Sequence, residues 1–133
     1  ADLPLAWRMP VMTNVFEGEI ANGGLAQFLW NTFHHHKRVL ADARDGYELV
    51  GAADHAAAIS RCMELCSQFE SGCRTEVELA TRDQTPSHFD KWYAHAESEM
   101  SFPEEELFES DSDIVQIKGR WILNHMDEYK ELI

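Results

Sequence analysis

Two adjacent glycines, Gly23 and Gly24, constrain the fold of this chain more than any other feature of its sequence. They follow Asn22 and lie between two apolar stretches. Because all three residues tolerate positive φ, the backbone can change direction sharply before a helix that is predicted to begin near Leu25. In that helix apolar residues recur every three or four positions, which predicts one buried face: Leu25, Phe28, Leu29 and Phe33.

Two amide side chains accompany this buried face. Gln27 and Asn31 are four positions apart, so they lie on one stripe of the same helix. Side-chain amides can both donate and accept hydrogen bonds. We therefore predict that Asn22, Gln27 and Asn31 are structural residues whose amides bind backbone groups around the Gly23-Gly24 break. The alternative is a pocket for a ligand or a partner.

The rest of the chain has the periodicity of helices and lacks the alternation of strands. It predicts an all-α fold, a compact single domain over residues 1–133 with a bundle of about six helices. The predicted helices cover residues 5–20 (interrupted near Pro10), 25–33, 37–50, 54–69 (stopped by Gly72) and 86–100, and a last one begins near Ser112 or Asp113. Residues 73–85 are ambiguous. Six residues are expected to be largely buried: Phe28, Leu29, Ile59, Met63, Trp121 and Ile122.

The charge of the chain limits its partners. It carries 24 acidic residues against 11 basic ones, a formal net charge of −13. Long-range repulsion opposes binding to nucleic acid or to an anionic membrane. Such a surface favours a basic protein partner and a fast, salt-sensitive encounter, whereas solubility is the alternative explanation.

The acids are densest between residues 97 and 113, here called the acidic segment, which contains no basic residue. Apolar side chains are predicted to fasten it to the body while its carboxylates face water: Met100, Phe102, Leu107, Phe108 and Ile114. A row of carboxylates resembles a phosphate backbone, so contacts with a basic partner are expected at Glu104, Glu105, Glu106, Glu109, Asp111 and Asp113. The alternative is a solvated loop that caps the next helix.

Histidines and cysteines offer weaker hypotheses. His34, His35 and His36 are consecutive, and successive helical residues point about 100° apart, so they rarely converge on one metal ion. Further ligands would have to come from Asp42, Asp45 or His55, and no metal is predicted. For the three cysteines, core packing is favoured over redox chemistry: Cys62, Cys66 and Cys73. His88, His95 and Glu99 have the spacing of an acid–base pair, but a stripe of surface residues is the favoured interpretation.

Recognisable catalytic motifs are missing from the sequence. It contains no glycine-rich phosphate loop, nucleophile elbow or dinucleotide fingerprint, so it supports neither catalysis nor a cofactor. It has no apolar run of about 18 residues and no start typical of a signal peptide. Three cysteines, an odd number, argue against a disulfide framework. We expect a cytoplasmic protein.

The glycine-containing segment carries a resemblance to a known family. The pattern Glu19-x-x-Asn22-Gly23-Gly24-Leu25-x-Gln27-Phe28-x-x-Asn31 resembles the motif of a bacterial family of small all-helical DNA-mimic proteins. Tyr47-Glu48-Leu49-Val50-Gly51-Ala52 and Phe89-Asp90-Lys91-Trp92-Tyr93 are similar to two later family elements. The three histidines replace a short Gly- or Ser-containing loop, and residues after Glu97 match no family motif. The resemblance implies an all-helical fold, DNA mimicry and dimerisation.

Three classes of function follow. The leading hypothesis is a non-catalytic acidic interaction protein, a DNA mimic that occupies the basic surface of a DNA-binding regulator. The second is an immunity- or antitoxin-like protein that blocks a basic toxin through a tight interface. The third is a small metal-dependent or acid–base hydrolase that uses the histidines.

Overall fold

A kinked helix of 27 residues, α1 (Leu5–Asn31), opens the computed structural model, which describes residues 3–109 and 113–132. The kink lies at Gly24, whose φ of 79° and ψ of −170° are not helical. The predicted break at the paired glycines is therefore confirmed. The predicted face after the break is buried as well: Leu25, Phe28, Leu29 and Phe33.

The predicted interruption at Pro10 is wrong, because α1 continues through this residue. Proline has no backbone N–H, so the carbonyl of Ala6 loses the donor that a helix normally supplies. The Tyr129 hydroxyl donates to this carbonyl instead, at 2.7 Å. Close by, the Trp7 indole Nε1 donates to the carbonyl of Glu128. The C-terminal part of the chain thus compensates for the proline.

Four more α-helices follow: α2 (His36–Leu49), α3 (Ala53–Asp83), α4 (Ser87–Ala96) and α5 (Ile114–Asn124). Two 3-10 helices cover Glu105–Phe108 and Met126–Leu132. Residues 3–109 and 113–132 contain no strand, so the all-α class is confirmed. The prediction of about six helices is slightly off, since the two predicted helices before residue 33 are one kinked helix. None of the helices in these described stretches is both long and apolar enough to cross a membrane.

The predicted helix stop at Gly72 is also wrong. Helix α3 continues to Asp83 and ends at Gln84, whose φ of 52° is left-handed. A glycine inside a helix costs only about 1 kcal/mol. The turns after Gly72 offset this cost, because Cys73 is fully buried and α4 packs along this part of α3.

Helices α1 and α2 form a closely packed antiparallel hairpin, on which α3 and α4 lie. Gly46 permits the close approach, because a Cβ atom at this position would lie 2.8 Å from the Met9 Cγ. Helix α4 is joined to α1 by Trp92, whose Nε1 donates to the carbonyl of Ala26 at 3.1 Å.

Burial was predicted more accurately for α1 and α3 than for α5. Phe28, Leu29 and Ile59 are fully buried, as expected. Met63, Trp121 and Ile122 are only partly buried, so these three side chains are less enclosed than expected. Helix α5 buries only Ile114 and Lys118, because it packs little against the other helices.

Candidate partner-binding surface

The acidic segment is anchored in the core by aromatic side chains. Phe108, at the end of the first 3-10 helix, is fully buried, and its ring centroid lies 5.0 Å from Phe16, 5.6 Å from Tyr47 and 5.3 Å from His55. His55 Nε2 donates to the carbonyl of Leu107 at 2.9 Å. The predicted anchoring is confirmed for the fully buried residues Met100, Phe102, Phe108 and Ile114, whereas Leu107 is partly buried.

The three consecutive glutamates of this segment have different surroundings. The single N–H of Arg61 Nε donates a bifurcated hydrogen bond to both carboxylate oxygens of Glu104, at 3.0 and 3.2 Å. Glu105 accepts from the backbone N–H of Phe102 at 3.4 Å, and Glu106 is exposed. Although the acidic segment itself contains no basic residue, α3 brings Arg61 to Glu104 across 43 positions of sequence.

Two of the remaining predicted contact residues face solvent. Glu109 follows the 3-10 helix and is exposed. Asp113 is exposed and occupies the N-cap position of α5, but its side chain makes no capping hydrogen bond. Its negative charge still interacts favourably with the helix dipole. Asp111 lies outside the described residues.

A cleft of about 430 Å³ separates the first 3-10 helix from the N-terminal half of α3. Asp54, Glu104 and Glu106 line it around Arg61. Sequence reasoning missed Asp54 and Arg61 as members of this surface. Nothing local indicates them, because both belong to the solvent-facing positions of an ordinary amphipathic helix.

Glu19, Gln27 and Asn31 form a polar clamp across the kink of α1. Gln27 Nε2 and Asn31 Nδ2 both donate to Glu19 Oε2, at 3.2 and 2.9 Å. The amides therefore bind a carboxylate, not the backbone groups that were predicted. A Cβ atom at Gly23 would lie 2.2 Å from Gln27 Oε1, so glycine leaves room for this side chain. Asn22 is exposed.

A second polar network lies between α1, α2 and α5, around the buried side chain of Lys118. Lys118 Nζ donates to Thr13 Oγ1 at 3.1 Å, to Asn14 Oδ1 at 2.6 Å and to Glu17 Oε2 at 2.8 Å. The Tyr47 hydroxyl donates to the same carboxylate oxygen at 2.5 Å, and burial raises its pKa. Sequence reasoning missed this network, although Lys118 is the cation on the apolar stripe of α5, four positions after Ile114.

The residues proposed as metal ligands have other contacts. Asp42 forms ion pairs with Arg8 and Arg38, and burial lowers the pKa of His55, which packs against the rings of Tyr47 and Phe108. His34 and His35 are exposed, and Asp45 lies beside Arg44. No group of three or more His, Cys, Asp or Glu that could hold a metal ion occurs among residues 3–109 and 113–132.

The three cysteines are buried in the core, as predicted. Cys62, Cys66 and Cys73 are buried and free, and burial raises the pKa of Cys66 and Cys73 to about 12. Their thiols therefore stay protonated at neutral pH.

His88 bridges α3 and α4 through two carboxylates. Its Nδ1 lies 3.1 Å from Glu76 Oε2 and its Nε2 lies 2.9 Å from Asp83 Oδ2. Since carboxylates only accept hydrogen bonds, both ring nitrogens carry protons in this arrangement. The bonds to Asp83 and Glu76 raise the pKa of His88, and Arg82 and His88 lower that of Asp83 to about 2. His95 and Glu99 are exposed, in line with the favoured surface stripe, whereas His88 is partly buried.

Comparison with known proteins places most of this chain in one family. Residues 1–125 match the model of a family described as DMP19-like protein. No curated protein and no solved structure is significantly similar to the chain.

Proposed function

Because the chain belongs to the DMP19-like protein family, a family of DNA-mimic proteins, we propose that it acts without catalysis by occupying the basic DNA-binding surface of a protein regulator. The acidic segment is the surface that makes this contact. The observation that carries the proposal is the burial of Phe108 among four aromatic side chains, which fixes the backbone that bears the carboxylates. A segment whose backbone is already ordered loses less conformational entropy on binding than a disordered tail with the same charges.

The contacts of the individual carboxylates divide the segment into two roles. Glu106, Glu109 and Asp113 are exposed and are the primary contact residues of the proposal. Glu104 and Glu105 hold the segment in place, through Arg61 and through the backbone of Phe102. Asp111 belongs to the same acidic row by sequence and is included as a contact.

Dimerisation, which the resemblance implies, would extend this charged surface. Helices α1 and α5 expose apolar side chains that a second copy could bury, among them Val11, Val15, Val115 and Leu123. Light scattering coupled to size-exclusion chromatography measures the mass directly, and a monomer across the accessible concentration range would contradict this part of the proposal. The cytoplasm is the proposed compartment, because that is where DNA-binding regulators act.

The first experiment identifies the partner. The protein is immobilised, incubated with a cell extract and eluted with a salt gradient. We expect to recover a basic DNA-binding protein that elutes late in the gradient. The DNA that this protein binds should compete with the chain for it. A basic toxin whose binding is insensitive to DNA would instead support the immunity-like alternative. The chain itself should show no affinity for DNA at physiological salt.

The second experiment tests the acidic segment with the partner from the first. A variant with Glu106→Gln, Glu109→Gln and Asp113→Asn is compared with a control that neutralises three exposed acids elsewhere, Glu48→Gln, Glu64→Gln and Glu78→Gln. Exposed charges act chiefly on the association rate, so the first variant should associate about tenfold more slowly near 50 mM salt, with a smaller difference at about 300 mM. Equal rates for both variants would assign the segment to solubility.

A further inference from the structure

Three aromatic side chains that are only partly buried meet where the end of α1 faces α4: Trp30, Phe89 and Tyr93, here called the aromatic strip. The Phe89 ring contacts both of the others. Its centroid lies 5.4 Å from that of Trp30, edge to face, and 5.6 Å from that of Tyr93, in a stacked arrangement. Trp30 and Tyr93 also pack against the core, so the strip is fixed from below while part of each ring is accessible to solvent.

The indole N–H of Trp30 distinguishes this residue from the tryptophans that hold the fold together. Trp7 donates its indole N–H to the carbonyl of Glu128, and Trp92 donates its own to the carbonyl of Ala26. The Trp30 indole has no acceptor among the described residues, and since no buried side-chain nitrogen or oxygen lacks a partner there, its N–H reaches solvent. Tryptophan with an apolar ring and a free polar edge is the residue type most enriched at interface hot spots.

Acidic side chains border the aromatic strip. Asp90, Tyr93 and Glu97 follow one another at intervals of three and four residues, so they share one face. Glu97 extends α4 by one residue, with a helical φ of −57° and ψ of −45°. Burial raises the pKa of the Tyr93 hydroxyl, and the nearby negative charges of Glu97 and Glu105 raise it further. Both glutamates belong to the acidic segment, so the strip adjoins that segment.

An aromatic face beside a carboxylate suits arginine better than lysine. The planar guanidinium can stack on a ring while its N–H groups donate to the carboxylate, whereas the ammonium of lysine is a strongly hydrated point charge. The protein contains one such arrangement elsewhere. The Arg74 guanidinium lies 5.1 Å from the centroid of the Phe33 ring and donates to Glu70 Oε1 at 3.2 Å. Within the described part of the chain, no cation occupies the rings of the aromatic strip in this way.

We propose that the aromatic strip is the part of the partner interface that selects arginine: an arginine side chain of the basic partner stacks on the strip and donates to the carboxylate of Glu97. This inference rests on the proposed function and divides it between two surfaces. The carboxylates of the acidic segment attract lysine and arginine alike, because attraction at a distance depends only on charge. The strip adds a short-range contact that lysine makes poorly, so it determines which basic surface is retained.

The test compares two peptides of equal length, alternating glycine with arginine or glycine with lysine. Each is titrated into the ¹⁵N-labelled protein at about 150 mM salt, where charge effects beyond about 8 Å are screened. The indole N–H signal of Trp30, identified by its loss in Trp30→Leu, reports on the aromatic strip. We expect this signal to shift saturably with the arginine peptide, which should bind about two- to fivefold more tightly than the lysine peptide. Equal affinities, or an unmoved Trp30 signal, would overturn the proposal.

Variants of the rings test whether the strip causes the preference. Trp30→Leu with Tyr93→Leu keeps apolar side chains at both positions but removes two aromatic faces, so the preference for arginine should disappear. Trp121→Leu, which changes a partly buried tryptophan on α5, is the matched control and should keep it. Glu97→Gln alters an exposed residue and leaves the rings intact, so it tests the same contact independently of folding and should reduce the preference. A full preference in the double variant or in Glu97→Gln would contradict the proposal.

The acidic segment is tested separately with the same two peptides. The variant with Glu106→Gln, Glu109→Gln and Asp113→Asn should bind both peptides more weakly by the same factor and keep the preference for arginine. Unchanged binding of both peptides by this variant would count against the acidic segment as the contact surface and leave the aromatic strip as the contact. Loss of the preference in this variant would instead overturn the role of the strip.

Discussion

Replacement of Phe108 by alanine tests whether the acidic segment is held by the core. The side chain is fully buried, and the centroids of Phe16, His55, Tyr47 and Phe102 lie within 6.1 Å of its own. Loss of the transfer free energy of a buried aromatic ring accounts for about 1.5–3 kcal/mol. The lost ring contacts and the cavity raise the expected loss of unfolding free energy to about 3–5 kcal/mol.

Urea denaturation followed by circular dichroism measures this loss. For a chain of this size it corresponds to a fall in Tm of about 10–20 °C. Phe108→Leu keeps most of the volume and should cost about 1.5 kcal/mol or less, so it serves as the matched control. Amide hydrogen exchange adds a local measurement, and the amide of Glu109 should exchange faster in the alanine variant, because its bond to the carbonyl of Glu106 depends on the anchored turn.

A small effect would refute this reasoning. If Phe108→Ala lowered the unfolding free energy by less than about 1 kcal/mol, the ring would not be part of the core. The carboxylates would then be attached to a loosely held loop. The proposed partner contact would in that case lose the ordered backbone on which it depends.

Three further predictions concern the kink, the buried ion pair and the imidazolium between α3 and α4. In the same denaturation assay, Gly24→Ala should destabilise the protein by about 1–3 kcal/mol, because alanine is strained at this positive φ. The control Gly18→Ala, at an open helical position, should instead stabilise it by about 0.5–1 kcal/mol. Lys118→Met should lower the unfolding free energy by about 3–5 kcal/mol, because the Glu17 carboxylate loses its cation. Adding Glu17→Gln should recover much of this loss, and additive losses in the double variant would contradict the pairing. His88 has a pKa raised above its ordinary 6.5, so its stabilisation should be complete below that pH and disappear as the pH rises through the folded pKa. An NMR titration midpoint of this histidine at or below 6.5 would rule out the bridge.

Local patterns in the sequence determined most of the helices and the kink in α1. The spacing of Leu25, Phe28 and Leu29 predicts the buried side of α1, and Asn22-Gly23-Gly24 predicts the kink that the structure places at Gly24. Both follow from interactions within a few residues, since helical periodicity and the φ preference of glycine need no distant partner. The same reasoning identified the apolar residues that anchor the acidic segment.

Local patterns failed to predict the structure where a distant contact compensated for an unfavourable residue. Pro10 and Gly72 are helix breakers by their own chemistry, yet α1 and α3 continue through them. The Tyr129 hydroxyl binds the carbonyl that Pro10 leaves without a donor, and the packing of α4 stabilises the turns after Gly72. Tertiary contacts of this kind outweigh an intrinsic preference of about 1–3 kcal/mol.

The partners of the charged side chains were decided only by the tertiary structure. Arg61 reaches Glu104 across 43 positions, and Lys118 reaches Glu17 across 101. Arg74 lies close to His34 and His35 in the turn after α1, because α3 passes beside the start of α2. The sequence shows how many charges the chain carries and on which helix each lies. Which charges meet depends on how the helices cross, and this is set by close contacts such as that of Gly46 with Met9, which local periodicity does not encode.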